Sequence, residues 1–266
     1  MFPRFFLFLT LGVAIPAAAV QAHEFWVEPQ EFQVESGAPV VADLRNGQKF
    51  SGGALGYFQR SITRFDLIQD GKVAPVEGRM GDVPALATTA GKDGLLVIVH
   101  QSAPSTLKYT EWQKFLTFAE HKDFPDIRAR HDARDLPETG FTETYTRFAK
   151  ALVGIGTAKG TDAPSGMETE FVALSNPYTD DLNTGFAVQL LYQGVPRGDA
   201  QVEVFDRAGD GTVSITLQRT DADGRALIPV LSGHDYLLDA VVLRDAPDDI
   251  EAVWETLWAA LTFSVP

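Results

Sequence analysis

The sequence predicts a mainly β fold of two β-sandwich modules with a helical insert between them. Between residues 23 and 105, short apolar runs alternate with Gly, Pro and Asp-Gly turns, as in antiparallel strands. Between about 106 and 153, the apolar period changes to that of amphipathic helices. From 166 to 266, alternating runs return at the spacing of a small antiparallel sandwich.

Residues 1–22 are predicted to be a secretory signal. An apolar run follows Arg4, and Ala22 completes the small-x-small pattern of a signal-peptidase site. A membrane anchor is the alternative, but the run is shorter than the roughly 20 residues that a span needs, and Pro16 interrupts it. We therefore expect cleavage after Ala22, a periplasmic mature chain that begins at His23, and no membrane span in that chain.

The N-terminal module, residues 23–165, is predicted to hold the strands FWVEP, VVADL, ITRFDLI and LLVIVH. Two amphipathic helices are expected in the insert. Their apolar faces are Trp112, Phe115, Leu116 and Ala119 in one, and Phe141, Tyr145, Phe148 and Leu152 in the other. The polar stretch between them predicts a loop with one short helical turn, and the Gly-containing segment 156–166 is the best linker candidate.

The C-terminal module, residues 166–266, is predicted to hold the strands FAVQLLYQ, AQVEVFDR, TVSITLQRT, RALIPV and DYLLDAVVLR. A helix is expected over 248–261. Asp248 and Glu251 resemble a capping box there, and Trp254, Trp258 and Leu261 fall on one helical face. The last residues, LTFSVP, predict a closing strand.

Composition excludes several classes of function. The chain has no cysteine, so it forms neither disulfides nor thiolate metal sites. A net charge of −14 argues against a nucleic-acid partner and favours cations near the surface. HExxH, GxSxG, Walker and dinucleotide-binding motifs are absent, so no enzyme is predicted. The acidic turns at 206–211 and 221–224 are interpreted as hairpin turns, because neither is followed by the acid that completes a calcium loop.

Four strings spread over the chain resemble one family of secreted bacterial proteins, the domain of unknown function 4198. They are AHEFWVEP, ETYTRFAKALVGIG, TDADGRALIPV and VWETLWAALTFSVP. The family is often labelled as a periplasmic component of nickel or cobalt uptake. The resemblance implies Ig-like or transthyretin-like β-sandwich modules and a metal-related role outside the cytoplasm. The position carried over from the family is His23.

A free His23 is a bidentate metal ligand by itself. Its α-amine and its imidazole close one chelate ring, and a second imidazole completes the three-nitrogen set called a histidine brace. This set suits tetragonal coordination, so copper(II) and then nickel(II) are the expected ions. The alternative is that His23 only begins the first strand. Deprotonating the amine costs about 1 kcal/mol at pH 7, well below metal-site free energies of ~10 kcal/mol.

The partner of His23 must be one of four other histidines. We rank His100 and His121 first. Each also has a structural alternative, His100 as a satisfied surface residue at a strand end and His121 as a cation at a helix C-terminus. His131 lies among arginines and His234 follows Gly in a turn, so both are weaker candidates.

The predicted function is a non-enzymatic periplasmic metal-binding protein, a carrier or accessory for nickel, cobalt or copper, with a metal-uptake transporter as a possible client. Two alternatives stay open. One is a metal-free sandwich that binds a polysaccharide or protein partner. The other is a copper-dependent oxidase that uses the same brace.

Overall fold

The structure is a computed structural model that describes residues 23–266, so the predicted signal lies outside the described residues. The first nine strands are β1 (Glu24–Pro29), β2 (Gln33–Val34), β3 (Pro39–Gln48), β4 (Ser51–Leu55), β5 (Ile62–Gln69), β6 (Lys72–Pro75), β7 (Leu86–Thr89), β8 (Gly94–Ser102) and β9 (Ser105–Tyr109). Two helices follow, α1 (Trp112–His121) and α2 (Ile127–Asp132). The other strands are β10 (Phe141–Ile155), β11 (Thr169–Ala173), β12 (Phe186–Tyr192), β13 (Val195–Pro196), β14 (Gln201–Arg207), β15 (Val213–Arg219), β16 (Arg225–Ile228), β17 (His234–Asp245) and β18 (Trp254–Val265).

A ten-stranded sheet forms the centre of the fold, in the order β15-β14-β17-β18-β10-β8-β5-β6, with β2 and β9 also paired to β10. Strands β10 and β18 run parallel, and the other neighbours along this order are antiparallel. The smaller sheet β1-β3-β4 with β7 packs on one face, and the sheet β11-β12-β13 with β16 packs on the other. This confirms the predicted mainly β fold class.

The two faces of the central sheet each carry an apolar core. Along β10, Phe148 and Leu152 belong to the core under β11 and β12, whereas Ala149 and Ala151 belong to the core under β1 and β3. This alternation is the two-residue period of a strand that is buried on both sides. A third core packs α1 and α2 against the ends of β17 and β18.

Strands of both predicted modules share the central sheet. Its β18–β10 contact joins residues of the C-terminal module to residues of the N-terminal module. Each of the two main cores likewise contains side chains from both sides of position 165. The segment 156–166 has no regular secondary structure, but it is fixed to the fold because Leu95 N donates to Lys159 O.

Two predicted helices are wrong, because residues 141–152 and 248–261 lie largely in the strands β10 and β18. In β10, the β-branched residues Thr142, Thr144 and Thr146 recur at every second position, which favours a strand. In β18 nearly every side chain is buried, because both faces are covered. Such a strand shows an unbroken apolar run, and its aromatic spacing matches a helix only by coincidence. The helical insert is therefore limited to α1, which was predicted, and the short turn of α2.

Neither helix of the described chain is long and apolar enough to cross a membrane.

One buried ion cluster lies on the β11 side of the central sheet. Lys150 Nζ lies 2.7 Å from Asp162 Oδ2 and 3.4 Å from Glu170 Oε2, and all three side chains are almost fully buried. Glu170 also accepts hydrogen bonds from the backbone N–H groups of Ser165 and Gly166. The cluster therefore fastens the end of the 156–166 segment to β10.

Replacing Lys150 with Met is expected to destabilise the protein by about 3–5 kcal/mol, because it leaves two buried carboxylates without their cation. Urea unfolding followed by circular dichroism measures the loss. The exposed Lys72 on β6 provides the control, and K72M should change the free energy of unfolding by no more than about 0.5 kcal/mol. A loss below about 1 kcal/mol for K150M would contradict a structural role for the ion cluster.

Candidate functional site

The start of β1, the end of α1 and the central sheet meet at a buried polar cluster. We define the junction cluster as Glu24, His121, Lys122, Glu203 and Asp239. Glu24 begins β1, His121 ends α1, and Lys122 follows it. Glu203 on β14 and Asp239 on β17 are directly opposite each other in the central sheet. Residues that are up to 215 positions apart in sequence therefore line one site.

Lys122 is the cation at the centre of the junction cluster. Its Nζ contacts Glu203 and lies 2.8 Å from Asp239 Oδ2. The ammonium also lies 4.8 Å from the centroid of the Trp258 ring. Although burial opposes the charged form, Asp239 and Glu203 raise the pKa of Lys122. The ammonium therefore stays charged inside the protein, as a partner for two carboxyls.

Glu24 is held by the tight turn between β3 and β4. Lys49 and Phe50 both adopt left-handed backbone conformations, with φ of 53° and 58°, which is the pattern of the type I′ hairpin turn. The turn directs Lys49 N to donate a 3.0 Å hydrogen bond to Glu24 Oε2. Burial, followed by the charge of Asp239, raises the pKa of Glu24 to about 7. This carboxyl thus changes charge near neutral pH.

His121 is the half-exposed member of the junction cluster. Its Nε2 lies 2.8 Å from Glu203 Oε1, and this hydrogen bond raises the pKa of His121 against the opposing effect of burial. The charge of Glu24 also acts on His121 and raises its pKa further. The imidazole that was predicted as a partner of His23 is therefore accessible and lies near the residue that follows His23.

His23 itself is exposed and directly precedes β1. In the uncleaved chain its backbone nitrogen forms a peptide bond with Ala22, so the chelating amine arises only on cleavage. Across residues 23–266, the structure contains no group of three or more His, Asp and Glu side chains placed to hold a metal ion.

His100, the other predicted partner, is buried at the end of β8. Its ring centroid lies 4.9 Å from that of Phe25 and 5.3 Å from that of Phe65, and the residue is only 2% exposed. Both ring nitrogens lack a hydrogen-bond partner among the described residues. Burial lowers the pKa of His100 to about 3, so the ring is neutral. It is not the solvated strand-end residue of the structural alternative.

The two weaker candidates have structural partners. His131 is fully buried, its Nε2 lies 3.2 Å from Pro137 O, and its Nδ1 accepts a 3.1 Å hydrogen bond from Trp254 Nε1. His234 Nδ1 lies 2.6 Å from Asp206 Oδ1. Both histidines therefore have partners in the fold itself.

Sequence reasoning missed the carboxyls and the lysine of the junction cluster. Glu203 and Asp239 each interrupt an apolar strand, in QVEVF and LLDAVV. A single acid inside an apolar strand was the available signal, because buried charges need a partner. Nothing in the sequence shows that Lys122 supplies that partner to both.

A family model described as Domain of unknown function (DUF4198) matches residues 20–244, which confirms the resemblance found in the sequence. Among curated proteins, nothing matches the chain. Solved structures that match include the "D0-D1 domain of Intimin", with 12% identity, 90% of this chain and 97% of that chain covered, and a TM-score of 0.19. Another is a "tetra-tandem repeat in extending region of large adhesion protein", with 13% identity, coverage of 90% and 49%, and a TM-score of 0.21. Likeness at this level carries no inference about this chain.

The buried neutral His100 predicts a loss of stability in mild acid. The unfolded chain binds a proton at His100 below a pKa of about 6.5, whereas the folded chain does so only near pH 3. Lowering the pH from about 7 to about 4.5 should therefore cost about 2–3 kcal/mol through this residue. Urea unfolding at both pH values should show that H100L loses less stability than the wild type by this amount. The control is H23Q, which removes an exposed histidine and should lose as much stability as the wild type. Equal losses in wild type and H100L would contradict the burial of a neutral ring.

Proposed function

This chain belongs to the family described as Domain of unknown function (DUF4198), and we propose that it is a periplasmic metal-binding protein rather than an enzyme. It would act as a carrier or accessory for copper, nickel or cobalt, with a metal-uptake transporter as client. The observation that supports this best is the position of His121, a half-exposed imidazole in the cluster that contains Glu24, the neighbour of His23.

The electrostatics of the junction cluster favour an added cation. The cluster has three carboxyls, those of Glu24, Glu203 and Asp239, and a single ammonium, that of Lys122. The charge of Arg147 also acts on Glu24 and Asp239. Burial raises the pKa of Glu24 to about 7, so this carboxyl is only partly charged near neutral pH, and burial also raises the pKa of Asp239. A cation bound nearby would lower both pKa values and release protons, and that release would strengthen metal binding as the pH rises.

Cleavage after Ala22 would supply the remaining ligands. The new α-amine and the imidazole of His23 chelate one ion, and His121 is the third nitrogen in this proposal. Cleavage also makes binding conditional on export, because the cytoplasmic precursor lacks the amine. Nitrogen ligands in a tetragonal set favour copper(II) over nickel(II), and nickel(II) over cobalt(II).

Titration calorimetry on the chain that begins at His23 tests the proposal. We expect one copper(II) or nickel(II) ion per chain. A single Gly added before His23 should weaken binding at least about 100-fold, because the amine becomes a peptide nitrogen. H121Q should weaken it at least about tenfold through loss of an imidazole ligand. The matched control is H234Q, which removes a histidine whose ring pairs with Asp206 outside the junction cluster.

Each outcome bears on one part of the proposal. Unchanged titration of the Gly-extended chain would refute the amine ligand, and unchanged titration of H121Q would refute His121 as the partner. A wild-type chain that binds none of the three ions would refute the metal-binding function as a whole. It would favour the metal-free binding protein instead.

A further inference from the structure

A pocket of about 270 Å³ opens between the sheet β1-β3-β4 and the ends of β8 and β10. The proposed metal site uses none of its lining residues. The lining contains both apolar and polar residues, among them Phe25, Leu55, Phe58, His100 and Arg147.

The apolar residues of the lining include two side chains that are partly exposed to solvent. Leu55 is 40% exposed and Phe58 is 39% exposed, although both are large apolar residues. Phe25 adds a buried ring whose centroid lies 4.9 Å from that of His100. Apolar groups that border a concave site with a few polar groups are typical of a small-molecule site.

The polar residues of the lining include a buried imidazole without hydrogen-bond partners among the described residues. Both nitrogens of His100 lack a hydrogen bond among the described residues. A neutral imidazole has one donor and one acceptor, and leaving a buried donor or acceptor unsatisfied destabilises a protein. Most buried polar groups in native proteins have a partner, so this ring calls for one beyond the described residues, such as a ligand.

Among the described residues, Arg147 is the one charged residue that lines the pocket. Its guanidinium lies over the Trp258 ring, 4.1 Å from the centroid, and 5.2 Å from the Tyr145 ring. The Nη1 atom is buried and has no hydrogen-bond partner in the described part of the chain. The guanidinium thus lies against two aromatic rings, and its Nη1 is unpaired among the described residues.

We propose that this pocket binds a small organic monocarboxylate with an apolar body. The carboxylate would accept hydrogen bonds from Arg147 Nη1 and from the N–H of His100, and the body would pack on Phe25, Leu55 and Phe58. The volume equals that of about nine water molecules at ~30 Å³ each, which fits a single aromatic ring or a short branched chain. The positive charge of Arg147 disfavours a metal ion.

Titration calorimetry with benzoate and 4-methylpentanoate tests the proposal on the chain that begins at His23, in buffer that contains a metal chelator. Benzamide is the neutral counterpart of benzoate. We expect at least one of the two carboxylates to bind, and benzamide to bind at least about tenfold more weakly than benzoate, because it gives Arg147 no charged partner. Binding without metal separates this result from that of the metal titration.

Two substitutions locate the binding. R147M should weaken carboxylate binding at least about tenfold. R197M is the matched control, because Arg197 also has a buried Nη1 without a partner but lies outside the pocket, and it should leave binding unchanged. If R147M does not fold, the NMR resonances of the His100 ring in the wild-type protein test the binding site instead. They should shift on addition of the carboxylate that binds, while those of His234 stay in place.

Three results would overturn the proposal. The first is no binding of either carboxylate up to about 10 mM, a concentration that corresponds to a free energy near −3 kcal/mol. The second is equal binding of benzoate and benzamide. The third is carboxylate binding that R147M leaves unchanged or that leaves the His100 ring resonances unshifted.

Discussion

The ammonium of Lys122 is the contact on which the arrangement around the N-terminal strand depends. Glu203 and Asp239 are opposite each other on β14 and β17, and like charges at such a pair destabilise a sheet. Lys122 contacts both, and it reaches them from the residue after α1. One side chain therefore joins the helical insert to the central sheet. Its charge also acts on Glu24 and His121.

A second constraint is the burial of β10 and β18 on both faces. These adjacent parallel strands form the middle of the molecule, so any polar side chain on them needs a partner from a covering element. Lys150 finds Asp162 and Glu170 on one side. On the other side, Glu143 accepts hydrogen bonds from Tyr109 and Thr256. Arg147 is the exception, since its Nη1 has no partner among the described residues. Because the buried charged side chains Lys150 and Glu143 on the same strand are paired, the unpaired Nη1 of Arg147 supports the proposed ligand.

The sequence predicts the β fold well because most strands are short and punctuated by turns. It fails where strands are central. The runs from Phe141 and from Trp254 are buried on both faces, and a strand of that kind loses the alternation that distinguishes it from a helix. The surroundings of the histidines show a similar limit. His121 could be placed at a helix end, but its contact with Glu203 depends on long-range packing. The burial of His100 against Phe65 likewise depends on the pairing of β5 with β8.

The proposed metal site depends on a free amino group and an imidazole that belong to the same residue, next to a cluster with more acids than cations. Native mass spectrometry of the protein isolated from its own extracytoplasmic compartment tests this most directly, because one spectrum fixes both the first residue and any bound ion. If the site exists as proposed, the native mass equals that of residues 23–266 plus one copper or nickel ion. A chain with a different first residue, or the His23 chain without a metal ion, would contradict it.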